Sequence, residues 1–143
     1  MDIDYDELLK LDNQICFPLY AAARKITSKY TPLLKPLNLT YTQYIVMLVL
    51  WEEDDIPVGR LCERLYLDNG TISPLLKKME KTGYIKRERS SEDERMVEIS
   101  LTDEGKKLKE RAKSVPLSMA GCVNMSPEHG KALYDLLYEV INS

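Results

Sequence analysis

A helical segment that ends at a glycine and runs straight into a hairpin pattern constrains the fold of this chain more than any other feature. Residues 69–83, NGTISPLLKKMEKTG, open with turn residues and end at Gly83, as helices with a glycine cap do. The residues that follow predict two strands, 84–89 and 96–101, joined by a polar loop over 90–95.

Two more helices are predicted upstream. Residues 58–68 form a short amphipathic pattern, and Thr40 with Gln43 matches a capping box before an apolar run that ends at Trp51. Residues 56–58 are long enough only for a strand stub. Short helices joined by a turn and followed by a hairpin form the winged helix-turn-helix pattern of DNA-binding proteins.

The N-terminal region is also predicted to be helical. Apolar side chains recur every three or four positions over residues 5–35, but Pro18 interrupts the pattern. Either one helix kinks near Gln14, or a short first piece ends and the main helix begins near residues 15–17. Two later prolines are expected to end this element: Pro32 and Pro36.

Capping residues predict two further helices in the C-terminal region. The terminal helices are too apolar to remain uncovered, and a second copy of the chain is their simplest cover. The expected fold is therefore mainly α with a small β-hairpin, in a single domain over residues 1–143. Its winged helix-turn-helix part covers residues 40–101, and dimerisation helices over 5–39 and 102–143 flank it.

Charge is distributed unevenly along the chain. The net charge of the 143 residues is −3, yet residues 71–90 hold six lysines and arginines against two glutamates. The first twelve residues are strongly acidic instead. A local basic stripe matters more for phosphate contact than the net charge does. The alternative is that these lysines line an ordinary solvated helix face.

The sequence also bears on compartment and cofactors. No stretch approaches the roughly 18 consecutive apolar residues of a membrane span, and the acidic start MDIDYDELLK is unlike a signal peptide. A cytoplasmic location is therefore expected, in which the three cysteines remain thiols. They form no CxxC pair and the single histidine is His129, so neither a metal site nor a cofactor is expected.

If residues 69–83 form a recognition helix, its side chains and those of the wing should meet DNA in distinct ways. Short polar residues in its first turns suit base edges or phosphate oxygens: Asn69, Thr71 and Ser73. Lysines farther along would meet the DNA backbone: Lys77, Lys78 and Lys81. The strands would add positive charge: Lys86, Arg87 and Arg89. In the loop, Arg95 would enter the minor groove, oriented by Asp93.

Three stretches resemble the MarR family of winged-helix repressors: DNQICFPLYAAARKIT, LTYTQYIVMLVLWE and LYLDNGTISPLLKKMEKTGYIKRERSSEDERMVEISLTDEG. Within that family, QICFPLY followed by LTYTQY resembles the OhrR branch of organic hydroperoxide sensors. The resemblance covers residues 8–105 well and the last 38 residues loosely. It implies a homodimeric, redox-sensing repressor that binds inverted-repeat operator DNA.

The resemblance also implies a peroxide-reactive cysteine, here Cys16, whose oxidation to sulfenic acid releases the DNA and derepresses a peroxidase gene. Tyrosines hydrogen-bond the sulfur in that branch, and the matching positions are Tyr30 and Tyr41. Tyr20 is a further neighbour, because it lies four residues after Cys16 on the same helix face. Some members carry a second cysteine that forms a disulfide with the first, for which Cys122 is the candidate. Others use a low-molecular-weight thiol.

The chemistry of Cys16 can also be considered without the resemblance. A thiolate, not a thiol, attacks a peroxide. No lysine, arginine or histidine lies within one helical turn of Cys16, so hydroxyl donors or a helix N-terminus would have to stabilise the charge. The alternative is that Cys16 is a small buried hydrophobic residue. Cys62 is expected to belong to the core.

Four functions are therefore compared. The leading one is a repressor that responds to organic hydroperoxides. The same cysteine could instead serve a global regulator that senses oxidants more broadly, including H2O2. A third is a MarR-type repressor released by an aromatic ligand, with Cys16 inert. The fourth, a thiol peroxidase, is disfavoured because there is no CxxC pair, no arginine beside Cys16 and no alternating strand–helix pattern.

Overall fold

Helices dominate the chain, and one small sheet interrupts them. The structure, a computed structural model, describes residues 1–143. The helices are α1 (Tyr5–Leu8), α2 (Cys16–Leu34), α3 (Tyr41–Glu52), α4 (Val58–Leu65), α5 (Asn69–Thr82), α6 (Asp103–Ala112), α7 (Ser114–Ala120) and α8 (Pro127–Ile141). The strands are β1 (Ile56–Pro57), β2 (Ile85–Arg89) and β3 (Val97–Leu101). The expected mainly helical fold with a hairpin is confirmed.

The N-terminal region divides as the second alternative predicts. A short helix and a 3-10 turn over Leu11–Asn13 precede α2, which begins at Cys16. Pro18 therefore lies in the first turn of α2, where its missing N–H costs no helical hydrogen bond. Helix α2 ends at Leu34, between the two prolines and within one residue of the predicted boundary, although Pro32 itself lies inside the helix. Leu34 is completely buried in the core, and this packing offsets the bond that Pro32 cannot make.

Local capping signals are confirmed in the middle of the chain. The Thr40 hydroxyl accepts the Gln43 N–H, and the Gln43 side chain accepts the Thr40 N–H, which completes the capping box of α3. Helix α5 ends at Gly83, whose φ of 94° is a left-handed conformation that favours glycine. The chain then turns directly into β2.

The hairpin becomes the larger part of a three-stranded antiparallel sheet in the order β1-β3-β2. Ile85 pairs with Leu101 at one end of the hairpin, and Arg89 pairs with Val97 beside the loop. The strand stub β1 pairs with β3 through Ile56 and Ile99. The sheet therefore ties the start of α4 to the hairpin.

One core unites the helices and the sheet. Nineteen buried residues form a single cluster, to which α3 contributes more than any other helix. Trp51 donates its indole N–H to the carbonyl of Gly105 at 2.9 Å, which fixes α6 against α3. A Cβ at Gly105 would lie 2.1 Å from the carbonyl oxygen of Tyr84, so only glycine permits this close approach.

The ends of the chain remain largely uncovered in the protomer. Neither α1 nor α8 contains a buried residue, although α8 carries apolar side chains along its length. Its large exposed residues are Leu133, Tyr134, Leu136, Tyr138, Val140 and Ile141. The separate helix α7 was not expected, and its Val115 and Met119 are buried. None of the helices combines the length and hydropathy that a transmembrane segment needs.

Candidate DNA interface and sulfur site

Helix α5 is positioned by an aspartate that the sequence reading overlooks. The Asp68 carboxylate accepts the backbone N–H of Thr71 at 2.7 Å and caps the helix. This hydrogen bond is the main reason why the pKa of Asp68 is lowered. An aspartate just before a helix is a standard N-cap signal, so the role could have been recognised from sequence. Asp68 thereby fixes the start of the helix that carries the candidate base-reading residues.

The first turns of α5 face a cleft of about 360 Å³ that opens toward the hairpin. Asn69 and Thr71 are exposed, and Ser73 is half-buried. Asn69 and Ser73 line the cleft together with Arg87 and Arg95 from the hairpin. The structure thus brings four of the predicted DNA-contacting residues to one concave surface.

Arg95 occupies the tip region of the wing. Its side chain is exposed and makes no ion pair, so its charge is available. The Asp93 carboxylate accepts the backbone N–H of Arg95 at 3.0 Å. Asp93 therefore shapes the loop through the main chain and does not hold the guanidinium itself. Arg89 donates to the carbonyl of Glu94 at 3.2 Å and braces the same loop.

Arg87 has a structural bond that the sequence reading did not foresee. Its backbone N–H donates to the Glu80 carboxylate at 3.0 Å. Its guanidinium donates to the same carboxylate through Nε at 3.3 Å and through Nη2 at 3.0 Å. The guanidinium contacts are the main cause of the lowered pKa of Glu80. Arg87 thus fastens the wing to α5, which leaves part of its charge neutralised. Lys86 lies 4.0 Å from Glu88.

The three lysines farther along α5 remain available to an anionic partner. Lys77, Lys78 and Lys81 are all exposed, and none of them forms an ion pair with a carboxylate.

The expectation that Cys62 belongs to the core holds only in part. Cys62 packs against the core but is half-exposed, and its thiol donates to the Asn69 side-chain oxygen at 3.6 Å.

A recognition helix, a preceding helix joined by a turn, and a basic hairpin beside them define a winged-helix protein.

The reactive-cysteine candidate, Cys16, lies outside this winged-helix part. Cys16 is the first residue of α2 and is exposed. No side chain caps this helix and no acidic residue lies in its first turn. Unpaired backbone N–H groups at such a helix start favour a negative charge, as on a thiolate.

Tyr20 lies one turn after Cys16, but its hydroxyl makes no bond to the sulfur in the protomer. Its ring is exposed instead, with the Arg24 guanidinium 5.6 Å from the ring centre. Contact with a guanidinium on the ring face is a cation–π interaction. Tyr20 therefore lies close to Cys16 along the helix, but its side chain contacts Arg24 and not the sulfur.

Tyr30 and Tyr41 do come together, at the other end of α2. Their ring centres are 4.8 Å apart, and Tyr44 completes the cluster at 5.7 Å from Tyr30. Burial, followed by the proximity of Tyr30, raises the pKa of Tyr41 and of Tyr44, so both hydroxyls keep their protons and can donate. Tyr44 was not among the predicted residues. Its buried position within the apolar run of α3 looks like ordinary core in the sequence.

The tyrosine cluster and Cys16 do not meet within one protomer. Tyr30 follows Cys16 by fourteen residues of continuous helix. At about 1.5 Å per residue the two positions are roughly 21 Å apart along the axis. The resemblance to the OhrR branch implies one site for these residues, and a single chain does not assemble it.

Cys122 lies after α7, where it is half-buried beside the middle of α2. Its thiol donates to the carbonyl of Ser118 at 3.3 Å, and Lys29 donates to the carbonyl of Cys122 at 2.8 Å. Lys25 and Lys29 line a cleft of about 350 Å³ with Cys122. The part of α2 that lines this cleft runs from Ala22 to Lys29, roughly 9 to 20 Å along the axis beyond Cys16. This separation exceeds the Cα distance that a disulfide spans, and both thiols are free.

Comparison with known proteins agrees with this architecture. A model of the transcriptional regulator SarA/Rot family matches residues 28–112. The organic hydroperoxide resistance transcriptional regulator of Bacillus subtilis is 47% identical over 143 residues, which cover 100% of this chain and 97% of that protein. The HTH-type transcriptional regulator SarZ of Staphylococcus aureus is 36% identical over 96% of this chain and 93% of its own.

The structure of reduced AbfR bound to DNA, a Staphylococcus epidermidis protein, superposes with a TM-score of 0.80, at 32% identity and 96% coverage of both chains. Disulfide-formed AbfR gives a TM-score of 0.66 at 34% identity and the same coverage. Overoxidised AbfR bound to DNA gives a TM-score of 0.78 at 33% identity, so the present chain is more similar to the two DNA-bound structures than to the disulfide form. It belongs to the MarR-type winged-helix transcriptional regulators, in the branch of the organic hydroperoxide resistance regulator.

Proposed function

We propose that this protein is a cytoplasmic, redox-sensing repressor that releases operator DNA when an organic hydroperoxide oxidises Cys16. The observation that carries the proposal is the exposed thiol at the N-terminus of α2, on the helix whose other end holds the tyrosine cluster. Its family includes a regulator named for organic hydroperoxide resistance. The protein acts as a switch that is consumed once per oxidation, not as an enzyme with turnover.

DNA binding is assigned to residues 40–101. The first turns of α5 enter the major groove, where Asn69, Thr71 and Ser73 contact base edges or phosphates. Arg95 at the wing reaches the minor groove. The backbone contacts come from the lysines of α5 and the basic residues of β2: Lys77, Lys78, Lys81, Lys86, Arg87 and Arg89. AbfR has been solved bound to DNA in its reduced form, which supports binding by the reduced protein, and also in an overoxidised form, so release is assigned to a different oxidised product.

A homodimer follows from the exposed apolar helices. Residues 5–39 and 102–143 supply its interface, and the exposed apolar side chains of α8 are buried there. A two-fold dimer presents two recognition helices to the two halves of an inverted repeat.

The same dimer assembles the sulfur site. If α2 of one protomer runs antiparallel to α2 of the other, Cys16 of each chain meets the tyrosine cluster of its partner. The hydroxyls of Tyr30 and Tyr41 then donate to the thiolate, and Tyr20 covers it from its own helix. Two sites form per dimer, and neither exists in an isolated chain.

The chemistry requires no cofactor. The Cys16 thiolate attacks the terminal oxygen of the hydroperoxide, the S–O bond forms and the O–O bond breaks. Sulfur is oxidised by two electrons to sulfenic acid, and the alkoxide takes a proton from solvent and leaves as an alcohol. The new oxygen enlarges and polarises the sulfur group, which displaces the tyrosine hydroxyls. This difference between the two states shifts the dimer toward a form that no longer fits the operator.

The sulfenic acid then condenses with a thiol, releasing water. Cys122 of the partner chain is one source, since the two cysteines of a single chain are too far apart. AbfR has a disulfide-formed state, which supports this route. A low-molecular-weight thiol is the other source.

Mass spectrometry after addition of one equivalent of cumene hydroperoxide tests the proposal. We expect one added oxygen at Cys16, captured by a sulfenic-acid probe, and no such product in Cys16→Ser. A disulfide-linked dimer that disappears in Cys122→Ser identifies Cys122 as the resolving residue. Modification of Cys62 or Cys122 with Cys16 untouched would contradict the proposal. Repeating the addition with H2O2 compares the two classes of oxidant.

A further inference from the structure

A second cleft, distinct from the one between α5 and the wing, lies where the end of α2, the start of α3 and the C-terminal half of α5 meet. Its volume is about 460 Å³. Nine residues line it: Thr31, Lys35, Asn38, Leu39, Thr40, Tyr41, Gln43, Lys78 and Thr82. Apart from Leu39 and Tyr41 they are all polar or basic, and none is acidic. This composition suits an anion.

Both lysines of the cleft are free to neutralise a ligand. Lys35 and Lys78 are exposed, and neither takes part in any of the ion pairs or side-chain hydrogen bonds of the protomer. They come from different elements: Lys35 begins the 3-10 turn over Lys35–Leu37 that follows α2, and Lys78 lies in the C-terminal half of α5. Two unpaired cations that converge on one concave surface, without a carboxylate between them, create a positive potential that attracts an anion.

A buried amide adds a directed donor. Gln43 is only 9% exposed, and its side-chain oxygen accepts the Thr40 N–H at 3.0 Å as part of the capping box. Gln43 lines the cleft, and its side-chain NH2 group has no protein hydrogen-bond partner. The capping box leaves the backbone N–H groups of Tyr41 and Thr42 unpaired at the start of this twelve-residue helix. Phosphate oxygens commonly accept such donors.

The position of the cleft identifies the source of the anion. Lys78 follows Ser73 by five residues on α5, which is roughly 7.5 Å along the helix axis. The major groove is about 12 Å wide, so a helix that fills it has a phosphate strand beside it at this distance. Lys78 and Thr82 of the same helix line the cleft, so a phosphate strand that runs beside α5 would pass it.

We propose that this cleft binds one backbone phosphate of the operator, held by Lys35, Lys78 and the Gln43 amide. The inference rests on the proposed DNA-binding function and extends the interface to α2 and α3. The contact is independent of base sequence, because it reads only the phosphodiester.

The cleft also adjoins the sulfur site through one residue. Tyr41 lines the cleft and packs against Tyr30 at 4.8 Å. A displacement of Tyr41 that follows oxidation of Cys16 therefore alters the wall of the phosphate cleft directly.

Lys35→Gln tests the cleft in titrations of full-length protein with a fluorescent duplex at several salt concentrations. The duplexes are the inverted repeat upstream of the protein's own gene and an unrelated sequence. Loss of one phosphate contact should lower the slope of log affinity against log salt by about 0.9 for both duplexes. The affinity should fall roughly five- to tenfold at about 0.1 M salt.

Gln43→Glu provides an independent variant that retains the fold. Glutamate also completes a capping box, so α3 keeps its start, and circular dichroism checks this. The new carboxylate would face the phosphate, and we expect a loss of affinity at least as large as for Lys35→Gln. Lys107→Gln is the matched control, because it removes one exposed lysine from α6, outside the cleft, and should leave the slope unchanged.

The outcomes separate this inference from the proposed function. If the wild type binds the operator but Lys35→Gln and Gln43→Glu retain its affinity and salt slope, the cleft does not hold a DNA phosphate and the inference is overturned. The inference is equally overturned if operator affinity is unchanged while Lys35→Gln abolishes binding of inorganic phosphate to the DNA-free protein, because the cleft then serves a free anion. Failure of the wild type to bind either duplex contradicts the proposed function itself.

Discussion

Cys16 and Tyr30 stand at opposite ends of one helix, so the thiol and the tyrosine cluster of a chain cannot serve the same site. Cys16 begins α2, and Tyr30 lies fourteen residues later, roughly 21 Å away along the axis. A symmetric dimer in which two such helices run antiparallel joins each thiol to the cluster of the other chain. The distance within one helix thus makes oxidation sensing a property of the dimer.

Heterodimers test this arrangement. In the first heterodimer, one chain carries Cys16→Ser and the other carries Tyr30→Phe and Tyr41→Phe. If each site is shared between chains, the remaining Cys16 faces the unchanged tyrosines of the other chain. That one site, half of the total, should react at the wild-type rate. In the second, all three substitutions are in one chain and the other chain is wild type. Its remaining thiol faces phenylalanines and should react roughly ten- to hundredfold more slowly, since a hydrogen bond to a charged group contributes about 1.5–3 kcal/mol.

Stopped-flow measurement of peroxide consumption distinguishes the two heterodimers. The reverse order, with the second heterodimer fast and the first slow, would place the thiol and the tyrosines of one site in the same chain and would contradict the dimer geometry.

The bond between Glu80 and Arg87 predicts a specific pH dependence of stability. Arg87 lowers the pKa of Glu80 below its ordinary value of 4.5. The pair therefore stabilises the folded state fully above about pH 4.5, and the stabilisation is lost as pH falls through the lower pKa of the folded state. Glu80→Gln should reduce the free energy of unfolding at pH 7, and the difference from wild type should shrink toward pH 3. Urea titrations at both pH values measure it. A difference that is constant with pH would show that the pair is not the cause.

Wing and recognition helix should fail in different ways. Arg95→Ala should weaken operator binding, because the substitution removes a positive charge that no carboxylate neutralises and that would contact the minor groove. Asn69→Ala should cost about 1–3 kcal/mol and relax the preference at one base-pair position of each half-site, since a base contact is lost. Binding to a panel of single-base operator variants measures both. If Asn69→Ala weakens every variant equally, Asn69 contacts only phosphate.

The exposed face of α8 predicts the consequence of a single charge. Leu136 is 57% exposed in the protomer, and the proposed dimer buries it. An unpaired buried charge costs about 3–5 kcal/mol, so Leu136→Glu should raise the dimer dissociation constant by roughly a hundredfold or more. Sedimentation velocity measures the change. Met96→Glu, on the wing, is the control and should remain dimeric. An unaffected Leu136→Glu dimer would exclude α8 from the interface.

Much of the fold could be predicted from sequence because the signals are local. The Thr40 and Gln43 capping box, the stop at Gly83 and the hairpin each depend on a few neighbouring residues. The continuation of α2 through Pro32 depends instead on tertiary contacts. Pro32 carries a local cost that is visible in the sequence, while the burial of Leu34 that offsets it depends on distant parts of the chain.

The site was predicted less completely, because its geometry depends on tertiary contacts. Arg87 reads as one more cation of a basic stripe, yet its guanidinium is bound to Glu80, seven residues earlier on another element. Cys62 reads as a core residue, yet its thiol reaches Asn69. Resemblance pointed to Cys16, Tyr30 and Tyr41 as a group, but only the length of α2 reveals that two chains are needed.

Operator binding before and after oxidation is the decisive measurement for the role of Cys16. Fluorescence anisotropy would follow wild type and Cys16→Ser on the inverted repeat upstream of the protein's own gene, each before and after one equivalent of cumene hydroperoxide. We expect that both reduced proteins bind, that oxidised wild type dissociates, and that Cys16→Ser stays bound after the addition. Cys16 would not be the sensor if the variant also dissociated, or if oxidised wild type remained on the DNA.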